Sequence, residues 1–147
     1  NEILFSQDPV SGLSRNRNLD GATRRLGAEF EFRASPLATL ALRGAFGYVR
    51  PRLDTGADMP LVPRVTASVG ADWTPWEPLT LSLAATHVGA RADGNDFGPE
   101  NFPRLPAYTL CDLSLRYRVG RIEVFGGLNN LTDERYSTVA YSSTLYP

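Results

Sequence analysis

Lysine is absent from this chain of 147 residues; every one of its fifteen cationic side chains is an arginine, a bias we assign to genome composition rather than mechanism. Cysteine, histidine and methionine occur once each. One thiol, Cys111, excludes an internal disulfide. His87 and Cys111 are the only soft metal ligands, and a metal site needs three or four convergent ones, so none is expected. A formal net charge of −1 lacks the basic excess of a nucleic-acid-binding domain. Uninterrupted apolar runs of about 18 residues are also missing, which excludes a transmembrane helix but not a membrane strand. The start, Asn1-Glu2-Ile3, shows none of the zones of a signal peptide, and we expect an internal piece of a longer protein. No nucleophile with a base at a recognisable spacing and no glycine-rich phosphate loop is present, so no enzyme, catalytic residue or cofactor is expected.

What the chain does have is alternation of period two, the signature of strands with two unlike faces. Leu26, Ala28, Phe30 and Phe32 oppose Gly27, Glu29, Glu31 and Arg33. Leu40, Leu42, Gly44, Phe46 and Tyr48 oppose Thr39, Ala41, Arg43 and Gly47, and Val65 to Trp73 opposes Arg64 to Asp72 in the same way. Leu79 to His87, Cys111 to Val119 and Ile122 to Leu128 continue the pattern. Each segment is about 10 residues, the length a tilted strand needs to cross a bilayer.

The connections between these segments alternate between short and long. Ser35-Pro36-Leu37, Pro75-Trp76-Glu77-Pro78 and Val119-Gly120 read as tight turns. Gln7 to Thr23, Pro51 to Pro63, Ala92 to Pro106 and the stretch from Thr132 onward read as long polar loops. Short turns at one end and long loops at the other are the build of bacterial outer-membrane barrels. Aromatic residues near segment ends (Phe46 and Tyr48, Trp73 and Trp76, Tyr108 and Tyr117) suit a bilayer interface. The fold class expected is all-β: an antiparallel β-meander forming part of a large transmembrane outer-membrane β-barrel. Six segments and a stub at Glu2 to Phe5 are too few to close such a barrel, because unpaired edges in hydrocarbon leave backbone groups unsatisfied. Because its apolar face is continuous and both edges are open, we expect that the piece does not fold alone in water.

Four stretches then carry a resemblance. Asn129-Asn130-Leu131-Thr132-Asp133-Glu134-Arg135-Tyr136 closely resembles the NNLFDERY stretch near the end of TonB-dependent outer-membrane receptors. Pro60-Leu61-Val62-Pro63-Arg64 resembles their IPLVPRH, Thr23 to Glu31 their RRxGxExE, and Leu105 to Thr109 with Asp112-Leu113 their LPAYTxxDL. The four fall in family order. Thr132 stands where Phe is usual and His87 where Tyr is common. Read from the residues alone, Asn129 to Tyr136 is a strand end with a capped exit into a loop, with Tyr136 as an outer anchor.

The resemblance implies that residues 1–147 are a C-terminal segment of a receptor barrel, incomplete, with plug and final strand absent. It implies an outer-membrane active transporter for a large scarce solute such as an iron–siderophore complex, haem or cobalamin. The implied partners are outer-membrane lipid, the TonB complex through a missing N-terminal part, and the solute. Loop residues Arg15, Arg17, Asp93, Asp96, Asn101 and Tyr141 are the candidate ligand contacts, chosen as polar or aromatic side chains in long loops. Glu29, Glu31 and Arg33 form either a permeation surface or a lumen network tying the wall to its neighbours or to a plug. Asp93-Gly94-Asn95-Asp96 has a calcium-like look but lacks the rest of an EF-hand. A passive porin-like channel and a soluble β-barrel binding module are the alternatives.

Overall fold

The computed structural model describes residues 3–7, 14–18, 21–94, 96–97, 102–141 and 144–146. Six strands pair antiparallel in chain order: β3 (Arg24–Leu37), β4 (Leu40–Arg52), β5 (Val65–Trp76), β6 (Leu79–Val88), β7 (Tyr108–Val119) and β8 (Ile122–Leu128). Before them β1 (Ile3–Gln7) pairs with β2 (Ser14–Asn18), and after them β9 (Val139–Tyr141) pairs with β10 (Thr144–Tyr146), each pair a separate two-stranded sheet. The stub expected at Glu2 to Phe5 is therefore one arm of a hairpin, and the first long connection contains its partner strand. β2 reads Ser-Arg-Asn-Arg-Asn, with no apolar residue to alternate, and so gives no periodic signal.

Register carries the two faces across the whole sheet. Leu40, Trp73, Leu81 and Leu115 form one continuous row, and Leu42, Ala71, Leu83, Leu113 and Leu128 the next. On the opposite face Ala41, Asp72, Ser82, Ser114 and Gly127 line up, followed by Arg43, Gly70, Ala84 and Asp112. A one-residue slip would turn every leucine to the charged side, which is why the pattern specifies the register. Leu26 is 77% exposed and Phe30 62%, so no protein core covers the apolar face. The buried hydrophobic residues among those described are Leu53, Met59, Ala92, Leu105 and Ala140, all beyond the ends of the six-stranded sheet. A soluble sandwich puts its core between strands; this sheet keeps its apolar face free, as a wall against lipid does.

Each short hairpin turns on two residues: the first lies two to three residues later than the sequence suggested, the second on the last two of its four expected residues, and the third one residue later. Ala38-Thr39, Glu77-Pro78 (joined by a cis peptide bond) and Gly120-Arg121 separate the paired strands. Ser35, Pro36 and Leu37 remain in β3, where the register shifts between Ala34 and Leu37, and a bulge of this kind accommodates a proline that cannot donate to the ladder. Gly120 takes φ +59°, a conformation that a two-residue turn demands and a side chain resists. Gly27 serves a different need: a Cβ there would lie 2.4 Å from the carbonyl oxygen of Tyr48.

Candidate functional site

At the end opposite these turns the long connections knit together. The amide of Leu61 donates to the carbonyl of Ala92 at 3.0 Å, joining the β4–β5 loop to the β6–β7 loop. Arg91 and Leu105 exchange both backbone hydrogen bonds, at 3.2 and 2.9 Å, and so close the base of the β6–β7 loop. The amide of Gly94 donates to Ala140 at 2.7 Å, tying that loop to β9. Leu53, Met59, Ala92, Leu105 and Ala140, from these connections and β9, are each buried at this end. Burying them removes apolar area from water, so here the ordinary hydrophobic effect operates.

Charges brace this rim. Asp58 accepts from Arg64 at 2.5 Å and from Arg104 at 2.9 Å, with its carboxylate mostly buried. Burial pushes the Asp58 carboxyl up, but the hydrogen bonds and charges of Arg64 and Arg104 outweigh it and hold the group below its ordinary value. The same contact pushes the Arg64 guanidinium up. Arg91, 3% exposed, sends Nη2 to the carbonyls of Ser137 at 2.8 Å and Thr138 at 2.7 Å. Its guanidinium carbon lies 5.6 Å from the ring centroid of Tyr108, within cation–π reach. Tyr108 in turn stacks on Tyr136, with centroids 4.5 Å apart.

That stack corrects two expectations. Tyr108 pairs with Val88 in the row that contains Thr66, Gly47 and Glu29, so it stands on the charge-bearing face, not at the lipid interface. Tyr136 is held against it and is not an outer anchor on the lipid side. The parity of Tyr108 with Leu110 and Asp112 was the available signal. The capped exit after β8 forms as expected: Asn130 takes φ +53°, its Nδ2 donates to the carbonyl of Glu134 at 3.0 Å and its Oδ1 accepts from the Glu134 amide at 2.9 Å. Asp112 Oδ1 accepts from the Asn130 amide at 2.8 Å, fastening the motif to the charged face of β7.

Below the rim, the charged face carries ion pairs between neighbouring strands. Arg43 pairs with Asp72, and Glu123 accepts from Arg118 at 3.0 Å with Arg116 at 3.6 Å. All of these side chains are substantially exposed, so each pair adds little stability and leaves the face hydrated.

The candidate contacts scatter. Arg15 and Arg17 lie on β2 rather than in an irregular loop, opposite Ser6 and Leu4. Asp93 is fully buried within the rim, so it supports the loop from inside. Asp96 is half-buried, and its amide closes a turn on the carbonyl of Asp93 at 3.1 Å. Tyr141 is 45% exposed and lies against Gly94, where a Cβ would meet its ring at 2.4 Å. Asn101 lies outside the described residues. Asp93 and Tyr141 are thus brought to one place, through Gly94 and β9, while Arg15 and Arg17 belong to a different sheet. Sequence reasoning missed Asp58, Arg91 and Arg104, whose partners lie up to 47 residues away along the chain.

Comparison with known proteins agrees with this architecture. A family model described as TonB dependent receptor-like, beta-barrel matches residues 1–131. The ferrichrome outer membrane transporter/phage receptor of Escherichia coli (strain K12) is 29% identical over 138 aligned positions, covering 84% of this chain and 18% of that protein. The closed form of the ferric-catecholate import receptor Fiu from E. coli K12 superposes with a TM-score of 0.72 at 19% identity, over 97% of this chain and 21% of its own. The siderophore receptor PiuA from Acinetobacter baumannii gives a TM-score of 0.69 at 22% identity, over 84% and 20%. These likenesses show the fold, and the chain spans about a fifth of the length of each relative.

Proposed function

Since this chain belongs to the TonB-dependent receptor β-barrel family, a family of outer-membrane receptors and transporters, we propose that its parent protein imports a ferric siderophore by energy-coupled transport. The chain contributes a section of the barrel wall in the outer membrane, with the Leu- and Phe-bearing face toward lipid and the Arg- and Glu-bearing face toward a wet lumen. The parent supplies a plug and a TonB-contacting segment, and this section lies toward the C-terminal end of the barrel. The observation that carries the reading is the interlocked rim above a two-faced wall: loops braced by Arg91 and Asp58 hold a fixed surface over the lumen. A preformed surface of this kind lowers the ordering cost of capturing a large solute. Arg15, Arg17, Asp96, Asn101 and Tyr141 are the side chains we place toward that solute, and Asp93 shapes the loop that carries Asp96.

Iron as the cargo is supported by the relatives' names, a ferrichrome transporter and a siderophore receptor among them. The test is accumulation of radioactive iron by cells whose only receptor is the complete parent protein, offered hydroxamate and catecholate complexes separately. One class should accumulate, and removing TonB or adding an uncoupler should abolish it. Accumulation that survives both treatments would make the protein a passive channel, and accumulation of neither complex would remove iron as the cargo.

A further inference from the structure

One aromatic side chain near the turn end breaks the rule of two faces. On β8, Ile122, Val124 and Leu128 keep to the apolar side, but Phe125 pairs with Arg116, which pairs with Thr80, so its ring stands on the charged face. At 80% exposure it is the most exposed large hydrophobic residue among those described. Toward lipid such exposure is favourable. Toward a wet lumen, an uncovered ring forfeits the burial and the ring contacts that favour aromatic side chains.

Arg116, directly opposite that ring, is loosely held. Glu123 gives Oε2 to Arg118 at 3.0 Å, while its Oε1 lies 3.6 Å from Arg116 Nε, an ion pair beyond hydrogen-bond length. Asp72, the other carboxylate of this neighbourhood, is taken by Arg43. Both strands flanking β7 are described throughout these rows, and among the described residues none accepts a hydrogen bond from the Arg116 fork, whose side chain is 65% exposed. Between Asp72, Arg116 and Phe125 lies a cavity of about 540 Å³, lined also by Thr80, Ser82 and Ser114. The cavity thus brings together a flat apolar surface, a planar fork of donors and three hydroxyls that donate or accept.

We propose that this cavity is an exit subsite for an aromatic oxyanion, a planar ring carrying carboxylate or phenolate oxygens. The ring lies on Phe125, and the oxygens take the Arg116 fork and the hydroxyls of Ser82 and Ser114. The proposal rests on the transport reading, to which it adds a last hold on the solute at the turn end of the wall. A bare anion would need only the fork; the ring beside it selects an aromatic body over an aliphatic acid. Glu123 keeps the hold light by competing for Arg116, and a station on a path must release what it binds.

The complete receptor, purified in detergent, is titrated with fluorosalicylate, followed by fluorine NMR, with cyclohexanecarboxylate and benzamide as competitors that lack the ring and the charge respectively. Fluorosalicylate should bind the wild type, and both competitors should be several-fold weaker. R116Q should weaken fluorosalicylate about tenfold, and F125L about fivefold while leaving cyclohexanecarboxylate unchanged, the worth of one charge-assisted hydrogen bond and one ring contact. A spin label at Arg121→Cys, in a Cys111→Ser background, should broaden the bound signal and so place it at the adjoining turn. Wild-type binding in both variants, or no broadening, overturns the site; equal competition by cyclohexanecarboxylate overturns the aromatic ligand. Failure of fluorosalicylate to bind the wild type overturns the proposal, and a thermal midpoint lowered by R116Q would then assign Arg116 to a carboxylate elsewhere in the parent. Binding is read on purified protein without iron, so its failure is distinct from a failure of the radioactive iron test.

Discussion

Arg91 donates to the carbonyl oxygen of Thr138 at 2.7 Å, so a residue at the foot of the β6–β7 loop fixes backbone beyond the whole β7–β8 hairpin. Arg91→Met keeps the apolar stem and removes the hydrogen bonds to the Ser137 and Thr138 carbonyls. The expected cost is about 2 kcal/mol of local stability, the worth of a charge-assisted hydrogen bond in a buried setting. Amide hydrogen exchange in the complete receptor should rise at residues 137–141 and leave β7 unchanged.

Asp58 makes the rim sensitive to acid. Its carboxyl lies below its ordinary value of 3.8 in the folded state, so its contribution is complete above that value and is lost as pH falls through the folded pKa. Exchange at residues 53–64, corrected for its intrinsic pH dependence, should be flat from neutral pH down to about 4 and rise below that. Asp58→Asn should remove the pH dependence and leave exchange high throughout. The loss should be about 1 kcal/mol, because both guanidiniums are nearly half exposed and solvent screens them.

The lipid face is testable residue by residue. Fluorescent probes at Leu81 and Leu115, directly paired on the apolar face, should be quenched by brominated phospholipids. Probes at Ser82 and Ser114, paired on the other face, should not. Equal quenching at both pairs would mean that the wall does not separate lipid from lumen.

Two glycines should behave oppositely. Gly27→Ala forces a methyl toward the Tyr48 carbonyl, a backbone atom that cannot swing aside, and should cost about 1–3 kcal/mol as overpacking does. Gly126→Ala has open space around it and should be near neutral. Thermal unfolding of the complete receptor, followed by its altered gel mobility, checks both.

The faces of the sheet were legible because alternation is a local property, and a lipid-facing wall obeys it through most of each strand from β3 to β8. Turn positions were legible to within three residues, since Pro36, Pro78 and Gly120 mark a bend without stating which side of it they occupy. The β1–β2 hairpin was not legible, because β2, where Arg15 and Arg17 pair with β1, carries no apolar residue to set a period. Neither was the rim. Arg91 meets Thr138 and Asp58 meets Arg104 only after the strands between them have paired, and nothing local distinguishes these charges from the solvated ones beside them.

The rim's dry residues have a consequence for the order of assembly. Leu61, Ala92 and Ala140 come from three connections separated by whole hairpins, so the backbone hydrogen bonds that link them through Gly94 exist only once the staves between them are aligned. Insertion into the bilayer and consolidation of the crown are therefore successive events driven by different solvents, acyl chains for the first and water for the second. Heating should undo them in reverse, loosening the crown while the staves remain joined.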